Sequence, residues 1–283
     1  MFELYGFRPV WPLLAGWEVV EALERCPSGT VSVGNGLYTA RLECRDGTIC
    51  VASACFERPE GVKPDAMYYV EDGLLRPVEV RAPNAYMRLR VPAPRVHATL
   101  EINGIHMHRV GGPTPWEDTL AKVRAARVKR GDVVLDTCTG LGYTAIASLL
   151  RGARLVWSFE IDERVLWCAE RNPHSSLLEA NEVILIHGDV VEGVERLPDE
   201  YFTVVIHDPP RLTGATGDLY SLEFYRQLYR VLKPGGRLFH YTGRPHGGRI
   251  LQGVARRLRE AGFERVRWVE EAQGFTAIKP RWG

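Results

Sequence analysis

The sequence predicts an α/β protein: a Rossmann-like sheet in its C-terminal part, preceded by a smaller β-rich domain. Three observations carry this. Apolar runs of strand length alternate with helix-forming stretches over the last 150 or so residues. The first of those runs leads through a two-glycine turn into a helix. Residues before 112 show short alternating segments between Asn-Gly and Asp-Gly turns. Gly111-Gly112-Pro113 reads as the junction, so the expected domains are 1–112 and 113–283, the first serving substrate recognition or dimerisation.

In the N-terminal part, Thr30–Val33 and Leu37–Cys44 are strands flanking Asn35-Gly36, and Asp46-Gly47 turns the chain again. With that two-residue loop Cys44 faces Ile49, not Cys50, which argues against a Cys44–Cys50 bond. Met67–Val70 followed by Asp72-Gly73 repeats the pattern. In Tyr86–Val91 the alternation puts Tyr86, Arg88 and Arg90 on one face, either a solvated face or one that meets phosphate. Ala98–His108 is a further hairpin, with His106 and His108 pointing the same way. A structural role is ordinary for such a pair; a substrate-facing role is the functional candidate, and no third metal ligand is apparent nearby.

In the C-terminal part, Thr114, Pro115 and Glu117 form a capping box that opens a helix running to about Arg127, with Leu120, Val123 and Ala126 on one stripe. Val133-Val134-Leu135-Asp136 is the first strand, and Thr137-Cys138-Thr139-Gly140-Leu141-Gly142-Tyr143-Thr144 turns into the next helix. Further strands are Leu155–Phe159 ending at Glu160, Val183–Ile186 ending at Gly188-Asp189, Val204–Ile206 ending at Asp208-Pro209-Pro210-Arg211, and Arg237–Tyr241 ending at Thr242-Gly243. Helices are expected near 163–172, 220–232 and 247–261. Polar residues at the C-terminal ends of parallel strands mark the crevice where such sheets bind ligands.

The bulk numbers exclude several classes. An apolar content of 45% and a net charge of +1 describe a soluble globular chain without a global basic field, so nucleic-acid contact would need a local patch. Six cysteines without C-x-x-C spacing make a metal site unexpected; buried free thiols are the simpler reading, a disulfide remaining open for a hyperthermophile. Arg far outnumbers Lys, which leans toward a heat-adapted source. No run of about 18 apolar residues occurs, and the N-terminus lacks the basic start of a signal peptide, so a cytoplasmic enzyme is expected.

Glu160 stands about 20 residues beyond the glycines, where an acid accepts hydrogen bonds from ribose hydroxyls, and Asp189 is placed to accept from an adenine amino group. Position 145 is Ala, not the third glycine of a nicotinamide-cofactor fingerprint. Together, Asp136–Gly142, Phe159-Glu160-Ile161-Asp162, His187-Gly188-Asp189-Val190, Asp208-Pro209-Pro210 and Lys233-Pro234-Gly235-Gly236 resemble class I S-adenosylmethionine-dependent methyltransferases over about 113–283. The resemblance implies a seven-stranded sheet with the last strand antiparallel, Glu264–Val269 and Phe275–Lys279 forming the final pair. It implies an S-adenosyl-L-methionine site from Asp136, Thr139, Gly140, Gly142, Tyr143, Glu160, Ile161, Asp189, Val190 and Asp208.

Asp208-Pro209-Pro210 also resembles the signature of amino-group methyltransferases acting on nucleic-acid bases or glutamine. That implies an RNA substrate methylated at an exocyclic amine such as cytosine N4 or guanine N2, with Asp208, Pro209, Pro210 and Arg211 catalytic. Arg211 departs from the signature's aromatic, although a guanidinium plane also stacks on bases. Arg211, Arg244, His106 and His108 are the candidate substrate contacts, and Arg249 joins Arg244 on the expected rim. A rival resemblance links Thr213–Tyr225, Lys233–Gly236 and Leu100–Gly104 to polyamine aminopropyltransferases such as spermidine synthase, which use decarboxylated S-adenosylmethionine. The first turn lacks their glycine-rich run, and Asp208-Pro209 replaces their paired acids. A non-catalytic cofactor-binding scaffold and a homodimer remain as further expectations.

Overall fold

A computed structural model describes residues 2–109, 111–245 and 248–281. The chain divides into two compact units, one of Met1–Gly6, Asp118–Glu163 and Ala180–Gly283, the other of Phe7–Glu117 and Arg164–Glu179.

The first unit is built on an eight-stranded sheet in the order Glu3–Leu4, Val183–His187, Leu155–Glu160, Val133–Asp136, Phe202–His207, Leu232–Tyr241, Gly274–Ile278, Glu264–Val269. The five strands from Val183–His187 to Leu232–Tyr241 are parallel. Gly274–Ile278 runs antiparallel to both neighbours, and it pairs with Glu264–Val269 as the resemblance implied. The eighth strand is a difference from the expected seven. Glu3–Leu4 adds antiparallel to Val183–His187 and covers backbone groups that an open edge would leave unpaired.

The chain continuity of apolar strands explains their burial: Val133, Val134 and Leu135 are at most 3% exposed because helices cover both faces. Helix Leu222–Val231 buries Phe224, Tyr225, Leu228 and Val231, a stripe at helical spacing, and Ser221 caps it by accepting from the Phe224 N–H. Strand order reverses at Val133–Asp136, which lies between Leu155–Glu160 and Phe202–His207. A crevice at such a switch point collects the C-terminal ends of these strands, and that is what positions the site.

The second unit holds three antiparallel sheets. Asn35, Asp46, Asp72 and Asn103 all take positive φ, as their predicted turns before glycine require. Strand Ala85–Arg90 alternates buried and half-buried positions as expected. The β-rich reading missed helix Gly16–Arg25. Its N-cap, Ala15, has no side-chain acceptor, so the usual start signal is absent. Instead Glu18, fully buried, accepts from the N–H groups of Ala15, Asn35 and Gly36.

The free-thiol reading of the cysteines is corrected for four of the six: Cys26 bonds Cys44 and Cys50 bonds Cys55. Cys44 does face Ile49 across the Asp46-Gly47 turn, while Cys50 faces Cys55 on the next strand. Cys138 and Cys168 are free thiols. No helix among the described residues is long and apolar enough to cross a membrane.

Candidate functional site

The turn after Val133–Asp136 is held from within. Thr144 donates its hydroxyl to Asp136 Oδ1 at 2.9 Å, and Ser158 donates to Oδ2 at 2.6 Å. Ser158 also meets the Thr139 hydroxyl at 2.7 Å. Asp136 is fully buried, and burial lifts its pKa to about 7 against the two hydroxyl bonds that lower it. It therefore braces the first strand, its neighbour and the following helix Tyr143–Leu150. Gly140 and Gly142 have φ of 55° and 77°, conformations that side chains resist, and the Gly142 N–H closes the turn onto the Thr139 carbonyl. Tyr143 is buried in the same brace.

Glu160 faces this turn. Its Oε2 accepts from the Gly140 N–H at 2.9 Å and its Oε1 from the Asp162 N–H at 3.1 Å. Burial raises its pKa, while these backbone bonds pull the other way. Beside it Ile161 is 64% exposed, an apolar side chain presented at a strand end. Asp189 ends the adjoining strand and caps helix Val190–Val194 by accepting from the Val191 N–H at 2.8 Å; Val190 is buried behind it. The Gly188 N–H joins the Glu160 carbonyl, which sets these two strand ends side by side.

Asp208 completes the group. Burial pushes the Cys138 thiol well up, and the charges of Glu160, Asp136 and Asp208 add to the effect. Lys122 Nζ donates to Asp208 Oδ2 at 2.7 Å, lies 3.2 Å from Asp118 Oδ2, and sits 4.1 Å above the Tyr241 ring. The Lys122 and Asp118 side chains are 1% and 0% exposed. Burial alone would lower the lysine pKa; the Asp208 and Asp118 carboxylates outweigh it and keep the ammonium charged. The lysine rides on helix Pro115–Ala125, opened by the Thr114–Glu117 box that the sequence announced. Sequence reasoning missed Lys122. Its signal was the i, i+4 pair with Asp118 on the side of the helix that also carries Val123 and Ala126.

The Asp-Pro-Pro loop is tied at its far end. Tyr220 donates its hydroxyl to the Pro210 carbonyl at 2.9 Å, and the Thr216 hydroxyl donates to the Arg211 carbonyl at 2.7 Å. His207 Nε2 lies 2.9 Å from the Leu219 carbonyl, so that nitrogen carries the proton and Nδ1 accepts from the Thr137 hydroxyl at 2.7 Å. Burial holds His207 neutral, with its pKa pushed down to about 3. Among the described residues no donor is bonded to the Pro209 carbonyl. Pro209 is buried, whereas Pro210 and Arg211 are exposed.

Other candidates lie elsewhere or are engaged. Arg244 is exposed and ion-paired with Glu270, and Arg249 is exposed. His106 and His108 belong to the other unit. His106 Nε2 lies 3.1 Å from both Glu101 Oε2 and Arg90, and His108 Nδ1 meets the Thr99 hydroxyl. On the strand face of Tyr86, Arg88 and Arg90, Glu101 takes Arg88 through two contacts of 3.2 Å, and Asp65 lies 3.3 Å from Arg90.

No family model matches the chain. It is 48% identical over 219 residues to the uncharacterised protein MJ1233 of Methanocaldococcus jannaschii, covering 76% of this chain and 74% of that one. A protein of the same organism, provisionally named a ribosomal RNA large subunit methyltransferase, is 31% identical over 116 residues, which is 40% of this chain and 30% of that relative. The crystal structure of spermidine synthase from Thermotoga maritima superposes with a TM-score of 0.56 at 17% identity, covering 72% of each chain. That likeness, with the strand order above, gives the class I methyltransferase-type fold.

Proposed function

The chain belongs to one family with MJ1233 of Methanocaldococcus jannaschii, and for this member we propose S-adenosylmethionine-dependent methylation of an uncharged amino nitrogen on an RNA base, such as cytosine N4 or guanine N2. The observation that carries the reading is the pair of acceptors at one strand end: a carboxylate fixed by Lys122 and the unbonded Pro209 carbonyl.

The residues present fit the cofactor. Glu160 accepts from the backbone N–H groups of Gly140 and Asp162 on separate oxygens, and a carboxylate with about four acceptor positions has room for ribose hydroxyls. Ile161 offers an apolar surface for adenine, and Asp189 an acceptor for its amine. Gly140 and Gly142 let the methionine part lie against backbone, while Asp136, Thr139, Tyr143 and Val190 hold that backbone in shape. When bound, S-adenosylmethionine supplies the electrophilic methyl group.

The chain's own part is orientation. An exocyclic base amine has two N–H bonds and a lone pair conjugated into its ring. Asp208 and the Pro209 carbonyl accept both N–H bonds and turn the lone pair out of the ring plane, an arrangement made before the reaction and strengthened in a water-poor site. Lys122 donates to Asp208 Oδ2, and a carboxylate has about four acceptor positions. Tyr220 holds Pro210, and exposed Arg211 next to it offers a guanidinium plane for the base. The provisional name of the M. jannaschii relative matches this substrate class.

The aminopropyltransferase reading is the second, favoured by the spermidine synthase fold match. Lys122 weighs against it, because its ammonium already engages the Asp208 carboxylate that a cationic polyamine would need. Isothermal titration with S-adenosylmethionine and its decarboxylated form separates the two, and preference for the decarboxylated form removes the methyltransferase reading. Asp208→Ala is expected to abolish methyl transfer to RNA, read by mass spectrometry, while cofactor affinity stays within about threefold; intact turnover contradicts the role of Asp208.

A further inference from the structure

The hairpin turn between strands Ser28–Val33 and Tyr38–Arg45 carries an exposed aromatic group that the site above does not use. Trp11 and Tyr38 are 49% and 53% exposed, and their rings meet edge to face at 5.1 Å. Gly34, with φ of 68°, lets them close together: a Cβ there would stand 3.3 Å from Tyr38 and 3.7 Å from Trp11. Large aromatics exposed to this degree in adjacent positions lose apolar burial, and this pair is held in place instead of folded inward.

A cation is built in beside them. Arg95 has φ of 64°, an uncommon conformation for a residue with a side chain, and its stem passes over Gly36. Buried Asn35 holds it there, accepting the Arg95 N–H at 3.2 Å and donating to the Val96 carbonyl at 2.6 Å. Glu18 in turn accepts from the N–H groups of Asn35 and Gly36. Arg95 is exposed, and among the described residues no carboxylate pairs with it, whereas neighbouring Arg25 is neutralised by Glu21. Tyr38 and Arg95 line an open depression of ≈ 700 Å³, together with Thr30, Thr39 and the Arg25–Glu21 pair.

We propose that this depression is a docking surface for single-stranded RNA, with a base stacked against Tyr38 and a backbone phosphate on Arg95. An exposed guanidinium without a carboxylate partner complements a phosphate, an exposed aromatic face accepts any base, and the two line one depression here. The proposal rests on the RNA reading of the catalytic unit and assigns the N-terminal unit the task of gripping the strand.

The test uses the full chain and a fluorescein-labelled single-stranded RNA dodecamer of mixed sequence, read by anisotropy across a salt series. Tyr38→Ala is expected to weaken binding about tenfold, and Tyr38→Phe to leave it unchanged. Arg95→Gln is expected to flatten the plot of log affinity against log salt by about 0.7, one phosphate contact on a single strand. Both side chains are exposed, and a melting curve checks each fold. Wild-type affinity retained in Tyr38→Ala and Arg95→Gln overturns the surface while the RNA reading stands. Absence of RNA binding by the wild type at low salt removes both. A dimer that Tyr38→Ala splits without changing RNA affinity, seen by sedimentation, makes the patch a subunit seam and overturns the proposal.

Discussion

Replacing Lys122 by Met tests the centre of the site. The ammonium is 1% exposed, 2.7 Å from Asp208, 3.2 Å from Asp118 and 4.1 Å above Tyr241. Met matches the stem in length and removes only the charge, so Asp118, itself fully buried, loses its cation. Breaking a buried pair on one side costs about 3–5 kcal/mol, most of it from the charge left behind. We expect Lys122→Met to lower unfolding free energy by about 4 kcal/mol in urea, followed by circular dichroism. Adding Asp118→Asn removes that stranded charge, so the double variant should recover at least about 2 kcal/mol relative to the sum of the single changes. Turnover should not return with stability, because Asp208 still lacks the partner that fixes it. A loss below about 1 kcal/mol, or simple additivity, refutes the argument that this pair organises the site.

Two further outcomes follow from the same geometry. Asp136 has a folded pKa of about 7 against an ordinary 3.8, so the folded state binds its proton more tightly than the unfolded state does. Its contribution is full below the ordinary value and is lost as pH rises through about 7; Asp136→Asn should flatten the fall in melting temperature between pH 4 and 8, and an unchanged slope would contradict the assignment. The Cys26–Cys44 bond spans 18 positions, so Cys26→Ser with Cys44→Ser should destabilise the N-terminal unit by about 3 kcal/mol, checked by hydrogen exchange on strands Ser28–Val33 and Tyr38–Arg45.

What could be read in the chain was local. Asn35, Asp46, Asp72 and Asn103 each announce a turn because a short polar side chain before glycine tolerates positive φ, and the four turns stand where they were expected. Asp136, Glu160, Asp189 and Asp208 could be placed at strand ends because a run of β-branched and apolar residues has a definite end. Partnerships were not legible. Arg88 and Arg90 look free along the chain, and only the fold brings Glu101 and Asp65 to them. Cys44 finds Cys26 through the pairing of two strands, not through spacing. Lys122 resembles a solvent lysine because its meaning depends on Asp208, 86 positions away. Helix Gly16–Arg25 escaped because its start is secured by Glu18 from inside the helix and not by a capping side chain.

Lys122 also bears on how one scaffold divides between two chemistries. A spermidine synthase and this chain share a fold, and a fold does not by itself select an acceptor. Selection falls to the charge next to the transferring group. An acid left unpaired attracts a polycation and takes up its proton. An acid held by a buried ammonium is less open to either, because part of its charge is already met. What remains attractive is an uncharged donor of two N–H bonds, and Asp208 with the Pro209 carbonyl offers it two acceptors. On the proposed reading, the lysine on helix Pro115–Ala125 biases this frame toward a neutral amine.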